Sequence, residues 1–230
     1  MDTRPGRFDD IRDAPAYSFP EASRHLGVPQ ATLRCWVLGR AHQGEPGPTV
    51  SEPLIRAPSG SRTRISFNNV VEAHVLRALR TGRGVRMAAV RDALTYAENS
   101  LGIRRLLLRD ELSTSGQDLV LEQLGSLIGL SRSGQMAMRK LLAAYLERVE
   151  RDYDTLPFRL YPFRAAWSGN KPIVIDPRIS FGRPTVAGSG VSTGALVDRI
   201  DAGETVETLA RDYGLEIAQI EDAILYERAA

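Results

Sequence analysis

The stretch Tyr17–Gly39, YSFPEASRHLGVPQATLRCWVLG, decides how the rest of the chain is read. Ser18 and Glu21 stand three apart, the spacing of a capping box. The serine oxygen there accepts from a free N–H of the first turn, and the glutamate reaches back to the cap. Ala22 and Leu26 then share one helical face. Gly27 is placed to end the helix in a left-handed conformation, which costs glycine little. Pro29 and Gln30 open a second helix, through Leu33, Trp36 and Val37 to Gly39. Ser23 lies four before Gly27 and Leu33 six after it, a spacing that lets two helices cross closely around one apolar plug. The stretch predicts a helix-turn-helix.

In the second helix, Gln30, Thr32 and Arg34 are polar residues between apolar positions. On a helix in the major groove, Gln can read adenine and Arg can read guanine. Ala41–Pro53 is rich in Gly and Pro and reads as a loop. Leu54–Ile65, LIRAPSGSRTRI, reads as a hairpin turned at Pro58-Ser59-Gly60, with Arg56, Arg62 and Arg64 available to phosphates. Two amphipathic helices follow, roughly Phe67–Arg80, capped by Ser66, and Val85–Asn99. From Tyr17 to Asp110 there are 14 Arg and no Lys against 7 acids, a balance of +7 that suits phosphates.

Past Leu101 the period changes. Arg104–Glu111 and Asp118–Gln123 read as strands of a hairpin about Ser113–Gly116, and Leu127–Leu130 as a third strand. Ser133–Asp152 reads as a helix with a Met-containing apolar stripe, and Pro157–Phe163 as an edge strand between prolines. In the last segment Ile173, Val174 and Ile175 start a buried strand, and Asp176-Pro177 make a turn. Three helices follow: one from Ser192, one capped by Thr205 and ended by Gly214, and one lined by Ile217, Ile220, Ile224 and Leu225. Ala210, Gly214 and Ile220 repeat the spacing of Ser23, Gly27 and Leu33, so this end has helix-turn-helix geometry too. Its charge argues for protein contacts rather than DNA: Ile200–Ala230 holds 8 acids and 2 Arg, a balance of −6.

Two resemblances accompany these patterns. TLRCW at Thr32–Trp36 is similar to the TLRxW signature of the MerR-type DNA-binding domain, whose wing and next two helices would fall at Leu54–Ile65 and Phe67–Asn99. Ordinary MerR regulators continue into a long dimerising coiled coil, and metal-sensing members carry cysteines at its end. This chain has a small α/β section there and none of those cysteines. Lys171–Arg228 resembles a helical antitoxin domain of about sixty residues, through I-x-I-D-P at Ile173–Pro177, G-R-P at Gly182–Pro184 and A-G-x-x-V at Ala187–Val191. Together they resemble VapB-type antitoxins with a MerR-like N-terminal domain. That resemblance implies a partner toxin of the PIN-type ribonuclease fold, Mg-dependent and rich in clustered acids, and binding to operator DNA.

Candidate toxin contacts are Arg159, Arg164, Arg178 and Arg183, since guanidinium groups pair with carboxylates. A homodimer is expected, because one recognition helix spans few base pairs; Ile173, Val174, Ile175, Ile220 and Ile224 are the candidate contacts. The alternative is a stand-alone MerR-like transcription regulator with a C-terminal dimerisation or ligand-binding part.

Other classes are excluded by what is missing. Cys35 is the one cysteine, so there is neither a disulfide framework nor a cysteine zinc site, and the three histidines are scattered. No G-x-S-x-G, H-E-x-x-H, C-x-x-C or P-loop motif occurs, so the expectation is no enzyme, no cofactor and no metal. No apolar run approaches the ~18–20 residues of a membrane span, and MDTRPGRFDD does not read as a signal peptide, so a cytoplasmic protein is expected. The predicted fold is α+β, mainly α: a loose arm (1–16), a winged helix-turn-helix domain (17–100), a small middle α/β section (101–165) and a three-helix module (166–230).

Overall fold

The structure, a computed structural model, describes residues 10–44, 47–82, 85–109, 125–126, 131–153, 156–164, 167 and 169–228. The strands expected at 118–123 and 127–130 lie outside them, as does most of the arm. Helices dominate, with four small two-stranded antiparallel sheets among the described residues.

The N-terminal helices form as their caps dictate. Helix α1 (Phe19–Leu26) carries the full capping box: Ser18 Oγ accepts from Glu21 N–H, and the Glu21 carboxylate accepts from Ser18 N–H, both at 3.3 Å. Gly27 ends it at φ 60°, ψ 38°, and α2 (Gln30–Leu38) follows. Leu33, Trp36 and Val37 are buried between α1 and the rest of the core.

The hairpin is not where the sequence placed it. Strands β2 (Arg40–Gly44) and β3 (Gly47–Ser51) pair antiparallel in the Gly- and Pro-rich stretch read as a loop. Arg40 stands opposite Ser51 and Gly44 opposite Gly47, so the ladder runs the length of both strands. Leu54–Ile65, read as the hairpin, is instead an irregular segment with a turn at Pro58–Ser61. Only β4 (Arg64–Ile65) is extended, and it pairs with β1 (Tyr17–Ser18) rather than with its own neighbours. Prolines at 53 and 58 leave no uninterrupted run for a ladder there.

Helix α3 (Phe67–Thr81) is the centre of the molecule. The sequence predicts one apolar stripe, but Phe67–Leu76, Ala78 and Leu79 are all buried. Full burial of each Val, Leu or Phe side chain stabilises by about 1.5–3 kcal/mol. Its polar residues are accommodated by pairing. Asn69 donates to the Arg56 carbonyl and to Glu72, both at 2.9 Å, and Arg105 grips both Glu72 oxygens at 3.0 Å. Helix α4 (Met87–Ser100) and a 3-10 turn (Leu106–Leu108) close one side. Helix α5 (Arg132–Leu146) closes another, stopping short of the expected Asp152 because Val149–Arg151 (β5) pairs with β6 (Pro157–Leu160). This first core runs from Tyr17 to Ile175, continuous across the boundary expected at 100/101.

The second core belongs to the C-terminal module. Strands β7 (Ile173–Val174) and β8 (Thr185–Val186) pair. Helices α6 (Thr193–Asp201), α7 (Val206–Tyr213) and α8 (Ile217–Arg228) pack around Leu196, Leu209, Ile220 and Ala223. Thr205 caps α7 by accepting from Thr208 N–H at 3.2 Å, and Gly214 ends it at φ 63°. The two turn glycines, 27 and 214, thus adopt the same left-handed geometry.

The modules are clasped together. The Tyr226 hydroxyl of α8 lies 2.8 Å from His25 Nδ1 of α1, in a buried position. Arg164 donates to the Arg24 carbonyl at 2.6 Å and lies over the Tyr226 ring. The Tyr17 hydroxyl donates to the Gly182 carbonyl at 3.0 Å.

Candidate DNA- and partner-binding surfaces

On α2, Gln30, Ala31 and Arg34 are exposed and Thr32 is half-buried, while Leu33, Trp36 and Val37 hold the opposite face in the core. The Arg34 guanidinium lies 5.0 Å above the Phe19 ring, which fixes its direction without neutralising it. Arg80, from the end of α3, donates to Thr32 Oγ1 at 2.7 Å. Arg91 of α4 donates to the Glu52 carbonyl at 3.0 Å and lines the same open groove as Thr32, Arg34 and Arg80. Three arginines therefore border the exposed face of α2. Sequence reasoning missed Arg80 and Arg91, because helices distant in the chain deliver them and no local spacing marks them.

The other arginines assigned to DNA are differently placed. Arg56 is exposed and pairs with Glu98 at 3.3 Å. Arg64 is exposed but donates to the Ala16 carbonyl at 2.7 Å, beside the β1–β4 pair. Arg62 is exposed. All three lie within the irregular 54–65 segment instead of on a hairpin.

The arginines assigned to a partner separate into two pairs. Asp176 is fully buried and acts as a hub: it accepts from Arg159 Nε at 3.0 Å, from Arg178 Nε at 3.0 Å and Nη2 at 2.8 Å, and from Arg178 N–H at 2.9 Å. Burial pushes its carboxyl upward, but the bonds from Arg178 and Arg159 outweigh this and hold it below the usual value. Arg159 also pairs with Glu150 and is committed within the chain. Arg164 belongs to the junction: it is packed between α1 and Tyr226, and a Cβ at Gly27 would stand 2.8 Å from its Nη1. Arg178 is half-exposed and Arg183 is exposed, so these two reach solvent.

The residues proposed for subunit contact are mostly inside. Ile173, Val174, Ile175 and Ile220 are all buried, and Ile224 packs partly against the second core. Of these side chains, Ile224 alone keeps part of its surface toward solvent.

His74 is fully buried, with its Nε2–H donating to the Tyr145 carbonyl at 3.0 Å. Burial, opposed by that bond and reinforced by Arg77 and Arg148, pushes its pKa down to about 3. It is a neutral core histidine.

Comparison with known proteins finds separate family matches toward the two ends of the chain. Residues 15–94 match a family described as "Putative DNA-binding HTH domain", and residues 173–226 match a family of proteins of unknown function, DUF433. The crystal structure of Rv2018 from Mycobacterium tuberculosis superposes with a TM-score of 0.70 at 30% identity, covering 92% of this chain and 98% of that one. The uncharacterized protein Rv2308 of M. tuberculosis is 30% identical over 224 residues, covering 94% of this chain and 91% of its own. The M. tuberculosis protein named "Putative antitoxin VapB45" is 33% identical over 227 residues, covering 92% of this chain and 93% of its own. With both modules aligned in one continuous match, the chain belongs to the family of that VapB45 protein.

Proposed function

We propose that the protein is an antitoxin that binds and neutralises a PIN-type ribonuclease toxin and represses its own operon. The observation that carries this is the near full-length match to a relative named as an antitoxin, spanning the helix-turn-helix and the C-terminal module together. The N-terminal part acts as a MerR-like domain. Gln30 and Arg34 read base edges from α2, with Thr32 held by Arg80. Arg56, Arg62, Arg64, Arg80 and Arg91 position the duplex through phosphates. Arg178 and Arg183 pair with carboxylates of the toxin, with Arg159 and Arg164 holding the local structure. Operator binding uses two copies, since one α2 spans too few base pairs for strong specificity.

The test is co-expression with the product of the adjacent reading frame, followed by affinity capture, a nuclease assay and a gel-shift on the upstream DNA. Capture, loss of nuclease activity and a shifted upstream fragment are expected. DNA binding by a chain that neither captures nor inhibits the neighbour would replace the antitoxin with a stand-alone regulator. Light scattering at micromolar concentration should give the mass of a dimer, and a monomer that still binds one operator would remove the dimer from the scheme.

A further inference from the structure

The 3-10 turn Ser180–Gly182 holds three consecutive residues at positive φ: 49°, 56° and 76°. Glycine takes this conformation freely, but Ser180 and Phe181 take it against their own Cβ atoms. Phe181 gains nothing from packing in return, for its side chain is 95% exposed. The turn is nonetheless tightly fixed. The Tyr17 hydroxyl binds the Gly182 carbonyl, Gly182 N–H donates to Ile179 O at 2.9 Å, and Arg183 N–H donates to Ser180 O at 3.1 Å. Ser180 Oγ donates to the Gly190 carbonyl at 3.3 Å, tying the turn to the neighbouring Gly188–Gly190 loop. That loop is exposed, and no atom lies within 4 Å of where a Cβ at Gly188 would stand.

A strained, anchored turn that presents a whole aromatic ring to water is preorganised for a partner, and aromatic side chains flanked by arginine are the usual anchors of protein interfaces. The rim here is basic toward solvent. Arg183 is exposed with no acidic partner among the described residues. Arg178 is half-exposed, while its counter-ion Asp176 is sealed inside and shared with Arg159. We infer that Phe181 is the anchor by which this chain docks into an apolar pocket rimmed by carboxylates on a protein partner, with Arg178 and Arg183 pairing with the rim. The exposed Gly188–Gly190 loop, with only Ser189 bearing a side chain, lets that partner approach the backbone. Nucleic acid is the poorer occupant, because the adjoining segment Ile200–Ala230 carries 8 acids against 2 Arg.

The partner's identity as the toxin rests on the antitoxin reading; the geometry of the anchor does not. Full-length wild type, F181N, F181W and R183E should be titrated calorimetrically with the purified product of the adjacent reading frame. Asn tolerates left-handed backbone, so F181N should keep or raise the melting temperature while weakening binding by about 30-fold or more. F181W should bind within about threefold of wild type, and R183E should weaken binding most at low salt. F181N binding within twofold of wild type, or F181N losing melting temperature, overturns the anchor. So does an effect of F181N on dimer mass or DNA affinity with toxin affinity unchanged. No binding by wild type fails the antitoxin reading and removes this partner with it; binding that ignores Phe181 fails the anchor alone.

Discussion

The buried histidine of α3 should make the protein acid-sensitive in a window of its own. His74 donates through Nε2–H to the Tyr145 carbonyl, so its Nδ1 must take the added proton, and Nδ1 is buried with no hydrogen-bond partner. Arg77 and Arg148 oppose the charge as well. The folded pKa is therefore about 3, against about 6.5 in an unfolded chain. The sign follows from linkage: below 6.5 the unfolded state binds the proton and the folded state does not. Stability is complete above that value and is lost as pH falls toward 3. Each unit costs about 1.4 kcal/mol, so moving from pH 8 to pH 5 should cost about 2 kcal/mol. The window between pH 6.5 and 5 lies above the ordinary carboxylate range, and the difference from a His74 variant removes whatever His25 and His42 contribute. Urea unfolding at half-unit steps measures it, with H74Q as the control. Glutamine can still donate to the Tyr145 carbonyl but does not titrate, so its curve should be flatter than wild type by that amount. Equal slopes for wild type and H74Q would refute the reasoning.

Three further outcomes are expected. Tyr226→Phe leaves His25 Nδ1 without its buried partner and should destabilise by about 1–3 kcal/mol, read as a fall in melting temperature. Gly27→Ala combines positive φ with a collision at Arg164, so calorimetric unfolding should show a loss above about 1 kcal/mol, larger than for Gly60→Ala, where φ is also positive but the space is open. In DNA titrations, Arg62→Ala should weaken binding to every sequence and reduce the salt slope by about one, whereas Arg34→Ala should cost more on the operator than on random DNA.

What the sequence made legible was what is local. Ser18, Glu21, Gly27, Ser66, Thr205 and Gly214 act on neighbours within a turn, and each caps or ends the helix its spacing predicts. The hairpin at Arg40–Ser51 was hidden because its glycines and two prolines mimic a loop, and a short ladder depends on pairing that no single strand displays. The burial of α3 on all sides was hidden because Asn69 and Glu72 look solvent-facing until Arg105 arrives from thirty-three residues away. The arginines were the least legible. Arg159 and Arg164 looked like free surface charges, yet Asp176 and the Arg24 carbonyl claim them. Phe181 gave no signal either, since neither its conformation nor its exposure is written in its neighbours.

The clasp between the first and last helices bears on how the chain is made. Tyr17 finds Gly182 across 165 residues and His25 finds Tyr226 across 201. Such distant pairings are slow to form and come late. Translation at about 5–20 residues per second delivers the N-terminal helices first, tens of seconds before α8 exists. During that interval His25 waits in α1 with its ring uncovered, and the base of the helix-turn-helix lacks its final support. A chain cut short anywhere before α8 would carry the whole exposed face of α2 and still leave that face insecurely seated. Synthesis through α8 is thus built into the fold as a condition for a fully supported helix-turn-helix.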